Sequence, residues 1–325
     1  MKYQVFSIKR LSKFCLLFFY TLYFLLYTSP VSAQQLSLSL TPSLNELAIK
    51  PGQSVVLKYK FTNIADPSIV TFRILPFEPR DILGNIGIKT SLQNPISFEL
   101  KDEIIKLDEA FFLKNSASQE ILLRVSVPEN ASEKDYYFVL LAESQPPPPQ
   151  EGVANVRAKV LVGSNLLITV TKEGQVEILP KISLFEVIPK NKITLFGSKL
   201  NLFDSFDKIP AVLVVENKGK NLIKPRGEIA LKGSLWQSKK FLILPQTVLA
   251  ESQRLIKIDS QPDKSLLLSG FFLGSYQLAA TVSYGEGTPT LYASTTFIAL
   301  PIKLTILVTA AIILLLFLGK KLRNH

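Results

Sequence analysis

Apolar and polar side chains alternate along most of residues 34 to 296, the period-two mark of strands with one face buried. Leu36 to Leu40 sets apolar residues against serines, and Leu44 to Ile49 follows as a second short strand. After the turn Lys50-Pro51-Gly52-Gln53, the segment Ser54 to Phe61 places Val55, Leu57, Tyr59 and Phe61 on one face and Val56, Lys58 and Lys60 on the other. Ile69 to Leu75, Ile96 to Leu100, Ala110 to Leu113, Glu120 to Val127, Tyr136 to Ala142, Val153 to Val162 and Asn165 to Thr171 complete a first set. A second set runs through Val176 to Ile188, Ala211 to Glu216, Glu228 to Leu231, Lys239 to Leu244, Arg254 to Ile258, Tyr276 to Tyr284 and Leu291 to Ile298. Only Glu103 to Phe112 admits a helical reading.

The two sets resemble each other. Phe61-Thr62-Asn63 and Val215-Glu216-Asn217 both end an apolar strand in Asn before a polar turn, and Tyr136 and Tyr276 both open a late strand after a polar crossing. Leu273-Gly274-Ser275-Tyr276 has the form of a tyrosine corner. The pattern therefore predicts an all-β chain of two tandem immunoglobulin-like β-sandwich domains, at 34–174 and 175–298, with one C-terminal transmembrane helix. The proline run Pro146 to Pro149 cannot join a ladder and is expected as a stiff spacer between two strands.

Both ends break the period. Lys2, Lys9, Arg10 and Lys13 precede the apolar run Phe14 to Tyr27, and Val31-Ser32-Ala33 offers a cleavage site between Ala33 and Gln34, so 1–33 reads as a signal peptide. At the other end, residues 299–319 are expected to span a membrane, with the apolar stretch counted from Phe297 to Gly319 and Leu304, Leu314 and Leu318 in its hydrocarbon portion. Lys320, Lys321 and Arg323 form the basic tail, 320–325, that belongs in the cytoplasm. The expected topology is single-pass type I in the cell membrane, with the sandwiches outside the cytoplasm.

Charge and composition then remove whole classes of function. Of the 37 Lys and Arg residues, eight lie in the two terminal segments or at Lys303, while all 26 acidic residues lie between them. The middle of the chain is close to neutral and carries no basic stripe with interleaved aromatics, so nucleic acid is not an expected partner. Cys15 is lost with the signal and the only histidine is His325, which excludes Ser-His-Asp, Cys-His and histidine-metal chemistry in the exported part. The carboxylate pairs Asp102/Glu103, Asp108/Glu109 and Asp204/Asp207 match no calcium loop and read as solvated surface. Trp236, Phe111, Phe112, Phe271 and Phe272 read as sandwich core ahead of sugar-stacking platforms. No cofactor and no enzymatic activity is expected.

Leu47-Ala48-Ile49-Lys50-Pro51-Gly52-Gln53, the strand to Asn63, Gly84-Asn85, and Ser118-Gln119-Glu120-Ile121 to Val127-Pro128 together resemble the peptidoglycan-binding domain of WxL-interacting surface proteins. The second half, with Gly274-Ser275-Tyr276 and the apolar segment behind it, is similar in layout to that family's host-binding domain. The resemblance implies a non-enzymatic, membrane-anchored binding or adhesion protein that contacts peptidoglycan or a surface protein. The alternative is a structural stalk, or a chaperone-like assembly factor that holds a partner strand at an open sandwich edge. Val55 to Phe61 is the segment expected to carry that contact.

Overall fold

The computed structural model describes residues 37–64, 66–90, 94–145, 159–189, 192–195, 198–233, 237–261, 265–285 and 288–323. The signal segment with Ala33 and Gln34, the four prolines, Trp236 and His325 lie outside them. Among the described residues ten strands build the first sandwich. They are β1 (Leu38–Thr41), β2 (Leu44–Ile49), β3 (Ser54–Asn63), β4 (Ser68–Pro79), β5 (Ile86–Ile88), β6 (Ser97–Leu100), β7 (Ala110–Leu113), β8 (Ser118–Ser126), β9 (Asp135–Gln145) and β10 (Leu161–Val170). One sheet has the order β1-β3-β8-β6, and the other the order β2-β10-β9-β4-β5 with β7 also on β4.

The second sandwich uses β11 (Pro180–Val187), β12 (Lys192–Leu195), β13 (Ser198–Asp204), β14 (Ile209–Asn217), β15 (Arg226–Gly233), β16 (Ser238–Leu242), β17 (Ser252–Leu255), β18 (Leu266–Leu268), β19 (Gly274–Ser283) and β20 (Leu291–Leu300). Its sheets have the orders β11-β14-β17, with β18 on β14, and β12-β13-β20-β19-β15-β16. The internal resemblance is thus one of topology. In each half the last strand pairs parallel with an early one, β10 with β2 and β20 with β13, and antiparallel with the strand before it.

The repeated Asn residues close equivalent corners. Asn63 and Asn217 are fully buried at the ends of β3 and β14. Asn63 Nδ2 donates to Asp66 O and Lys114 O, at 2.8 and 3.2 Å, and Asn217 Nδ2 donates to Asn221 O and Leu249 O at the same two distances. Each amide ties its own turn to the loop that enters β8 or β17. The tyrosine corner is also present: the Tyr276 hydroxyl accepts from Leu273 N at 3.0 Å and donates to Gln237 Oε1, and the Tyr136 hydroxyl donates to Ser132 O at 3.3 Å.

Alternation places the cores. Phe61, Phe72 and Phe138 are buried in the first, with Phe61 and Phe72 meeting edge to face at 5.1 Å, and Tyr276 stacks on Phe297 at 5.0 Å in the second. Several strand boundaries differ from the pattern, and two of them have a plain local cause. β10 runs through Gly163 unbroken, because a Cβ there would lie 3.0 Å from the Val139 side chain and the bare backbone lets the neighbouring strand close in. β11 starts at Pro180 and not at Val176, since proline has no N–H to offer a ladder and occupies the first strand position. The Glu103 to Phe112 segment forms no helix: the Asp102 carboxylate accepts from Ile104 N and Ile105 N, and the chain then enters β7.

The C-terminal segment corrects the anchor reading. The helix α1 (Ile302–Arg323) begins after β20 has taken Phe297 through Leu300, residues counted towards the span. Lys303 in its first turn is held against the second sandwich, its Nζ donating to Asp207 Oδ1 at 2.6 Å. The uncharged stretch of described side chains, Leu304 to Leu318, rises about 22 Å, short of a hydrocarbon core of about 30 Å. Among the described residues no helix is long and apolar enough to cross a membrane, and the single-pass type I localisation does not stand. Leu304, Leu314 and Leu318 are exposed on α1, as is Lys320; Lys321 and Arg323 belong to its last turn.

Candidate functional site

The open side of the first sandwich begins where β1 ends. β1 pairs β3 only from Leu38↔Asn63 to Thr41↔Lys60, and the Thr41 hydroxyl bonds Lys60 O at 3.3 Å as the pairing stops. The chain then crosses through Pro42 to the other sheet, where β2 lies along β10. Residues Ser54 to Tyr59 keep β8 on one side and have no strand on the other among the described residues.

The backbone groups on that side follow from the ladder. Asn63 N bonds Ala117 O and Val127 N bonds Gln53 O, which assigns the odd-numbered residues of β3 to β8. Alternate residues of an antiparallel strand face opposite neighbours, so Ser54, Val56 and Lys58 present their N–H and C=O groups to the vacated position. The side chains show the same opening. Tyr59 and Phe61 are fully buried, whereas Val55 and Leu57, which face the same core, are only half-buried, as is Leu47 on the neighbouring edge strand β2. On the outer face Val56 is 48 % exposed beside the Lys58–Glu120 ion pair at 2.7 Å.

The second sandwich does not repeat this gap. β11 covers β14 from Pro180↔Asn217 to Val187↔Ala211, all but its first two residues, with one bulge between Ile182 and Leu184. The expected contact segment Val55 to Phe61 is therefore open from Val55 to Tyr59 and covered by β1 at Phe61.

A second constellation, which sequence reasoning missed, joins the two sandwiches. The Asp135 carboxylate is buried at the start of β9 and accepts four hydrogen bonds: from Thr169 Oγ1 (2.8 Å), Tyr137 OH (3.0 Å), Asn221 Nδ2 (2.8 Å) and Leu222 N (2.6 Å). Two of these donors belong to the second sandwich. The Tyr137 hydroxyl in turn accepts from Ala250 N at 2.8 Å, and burial followed by the nearby Asp135 charge pushes its pKa far above the ordinary value. Phe77, Val139, Leu141 and Leu167 form an apolar patch under this network, and Leu222 and Leu249 pack against it from the other side. A cavity of about 660 Å³ opens beside it between Phe77, Tyr137, Lys134 and Glu251. Only a carboxylate at the head of an apolar strand marks Asp135 in sequence, and its four donors come from three separate segments.

The other sequence candidates have structural roles. Gly84-Asn85 lies in a turn bound to the Asp81 carboxylate, and the same turn docks on β17, where Leu255 N donates to Ile82 O at 2.6 Å. Asp204 is buried and accepts from Lys303 N at 2.8 Å, which caps α1 from outside the helix and holds the carboxyl below its usual range. Phe272 is core and Phe111 stacks on Phe72 at 5.4 Å, whereas Phe112 and Phe271 are exposed. Among the described residues no group of three or more His, Cys, Asp or Glu side chains is placed to hold a metal.

No family model matches the sequence, and no curated protein matches it. Solved structures give a likeness of fold. The class 5 fimbriae chaperone CfaA is 9 % identical, with 81 % of this chain and 99 % of that chain covered, at a TM-score of 0.37. The E. coli chaperone DraB is 13 % identical, with 81 % and 98 % covered and a TM-score of 0.37. The PapD-like domain 7 of human CEP192 is 13 % identical, with 45 % and 90 % covered and a TM-score of 0.29. At those scores the likenesses carry no argument about what this chain does.

Proposed function

We propose that this chain is a binding protein without catalysis of its own, which holds an extended segment of a partner protein along the open edge of its first sandwich, in the manner of an assembly factor. The observation that supports the reading is the unequal treatment of the two sandwiches. β14 is covered from Ala211 to Asn217, while β3 is left bare from Ser54 to Tyr59 with three residues' backbone groups turned outwards. A strand added there gains main-chain hydrogen bonds at Ser54, Val56 and Lys58. Its alternate side chains enter the space beside the half-buried Leu47, Val55 and Leu57, so the segment it accepts has apolar residues at every second position.

The experiment uses a nine-residue peptide that alternates valine and threonine, with a proline-interrupted version as control. Binding is read as slowed amide exchange in the full chain. Protection of the Val56 and Lys58 amides by the first peptide and not by the second supports the reading. Protection elsewhere, or none at millimolar peptide, ends it. Retention of the chain by peptidoglycan sacculi, undiminished when the edge is blocked, would return the wall-binding interpretation.

A further inference from the structure

Also at the junction, and sharing Phe77 and Pro79 with the larger cavity, lies a smaller one of about 320 Å³, within the size range of small-molecule sites, which also occur preferentially between domains. Its apolar side is Phe77, Ile86, Leu167 and Leu249, and its polar side carries Arg254, Gln246, Asn165 and the Asp81 carboxylate, which is engaged by the Leu83 and Asn85 amides. Arg254 stands on β17, half-buried, and Nη1 donates to Thr247 O at 2.5 Å. Burial lowers its pKa and no carboxylate offsets that effect. Guanidinium groups in such positions ordinarily meet a carboxylate or phosphate in a forked pair. The residue facing it is Gly84, in the left-handed region at φ +89°, where a Cβ would lie 2.6 Å from the guanidinium carbon. The planar group thus lies flat against bare backbone contributed by the other sandwich.

We infer that this pocket binds a small amphipathic anion, a carboxylate or phosphate monoester placed on the Arg254 guanidinium with its apolar body against Phe77, Ile86, Leu167 and Leu249. The inference is independent of the open edge of β3, which lies on a different side of the first sandwich. Nη1 is tied to Thr247 O, whereas Nε is buried without a partner and leaves the guanidinium a donor to spare at the pocket.

The test is calorimetric titration of the full chain with hexanoate, hexyl phosphate, inorganic phosphate and hexanol. One saturable site for hexanoate or hexyl phosphate is expected, with hexanol silent and inorganic phosphate at least tenfold weaker than hexyl phosphate. Arg254→Gln lowers the affinity at least tenfold, and Ile86→Trp, which fills the pocket and keeps the charge, does the same. Absence of saturable binding by both hexyl anions overturns the proposal. So does equal affinity in both variants, or inorganic phosphate that binds as tightly as its hexyl ester. Should Arg254→Gln not fold, the Ile86→Trp comparison decides alone.

Discussion

At the residue scale, two buried polar groups show how local chemistry sets stability. Asn217 replaces three backbone partners at once, donating to Asn221 O and Leu249 O and accepting from Gly219 N at 3.0 Å. Alanine there strands those groups away from water, and urea unfolding is expected to show a loss of about 2 to 4 kcal/mol. An exposed polar substitution elsewhere on the same turn costs a few tenths. Tyr284 is the opposite case: its hydroxyl is buried without a partner, and burial pushes its pKa up to about 12. Because the fold holds this proton longer than the unfolded chain does, the contribution to stability is whole below pH 10 and is lost as pH rises towards 12. Tyr284→Phe removes an unpaid desolvation and a titrating group together. Its melting temperature is expected to match or exceed the parent at pH 7 and to fall less between pH 10 and 12; an identical alkaline decline would show that Tyr284 does not titrate in that window.

Neighbouring residues of β3 differ in consequence because they face different strands. Val56 turns its N–H to the vacated side and Leu57 turns its own to β8. Proline at 56 therefore removes no ladder bond and is expected to cost less than about 1 kcal/mol, whereas proline at 57 is expected to cost about 3 kcal/mol or more. Thermal melting separates them, and Val56→Pro should also abolish peptide protection at the edge. Equal losses from the two substitutions would mean that the assigned alternation is wrong.

The helix junction is a second problem of elements. α1 has no acidic residue in its own first turn, and Asp204 on β13 supplies the missing anion by accepting from Lys303 N. That hydrogen bond holds the carboxyl below its ordinary value, so the cap persists through neutral pH and is lost only when the pH falls below the usual carboxylate range. The Lys303 amide resonance should follow this titration with a midpoint below that of a free aspartate, and Asp204→Asn should abolish it. A midpoint at or above the free value would show that the carboxylate is not the cap.

For the whole molecule, the relation of the two sandwiches centres on one buried charge and one apolar patch, flanked by a turn that docks on β17 and by the Lys224–Glu46 ion pair. Asp135 gathers donors from β9, β10 and the turn after β14, and the Asp81 to Asn85 turn reaches across to β17 on the other flank. Asp135→Ala leaves four donors without an acceptor and is expected to cost about 3 kcal/mol or more. Small-angle scattering should then report a larger radius of gyration for the variant, with each sandwich still folded by near-ultraviolet circular dichroism. An unchanged radius would leave the docking to the Phe77, Val139, Leu141 and Leu167 patch together with the Leu255 N to Ile82 O bond and the Lys224–Glu46 ion pair.

The all-β, sandwich character of the chain was legible because alternation is local: each strand announces its buried face by its own residues. The repeated Asn and Tyr positions were legible for the same reason, since a strand end followed by a polar turn requires a group that can close it. Pairing is not local. That β1 leaves β3 at Thr41, that β11 does not leave β14, and that Gly84 meets Arg254 across the junction all depend on contacts between segments far apart in the chain. The same limit explains the terminal segment. An apolar run was evident from composition, but tertiary pairing assigned Phe297 to Leu300 to β20 and Lys303 to the second sandwich. The chain by itself thus determined which faces are buried and which Asn and Tyr residues close the corners; only the tertiary structure decided where strands end and which edges remain open, because an edge is defined by the strand that is not beside it.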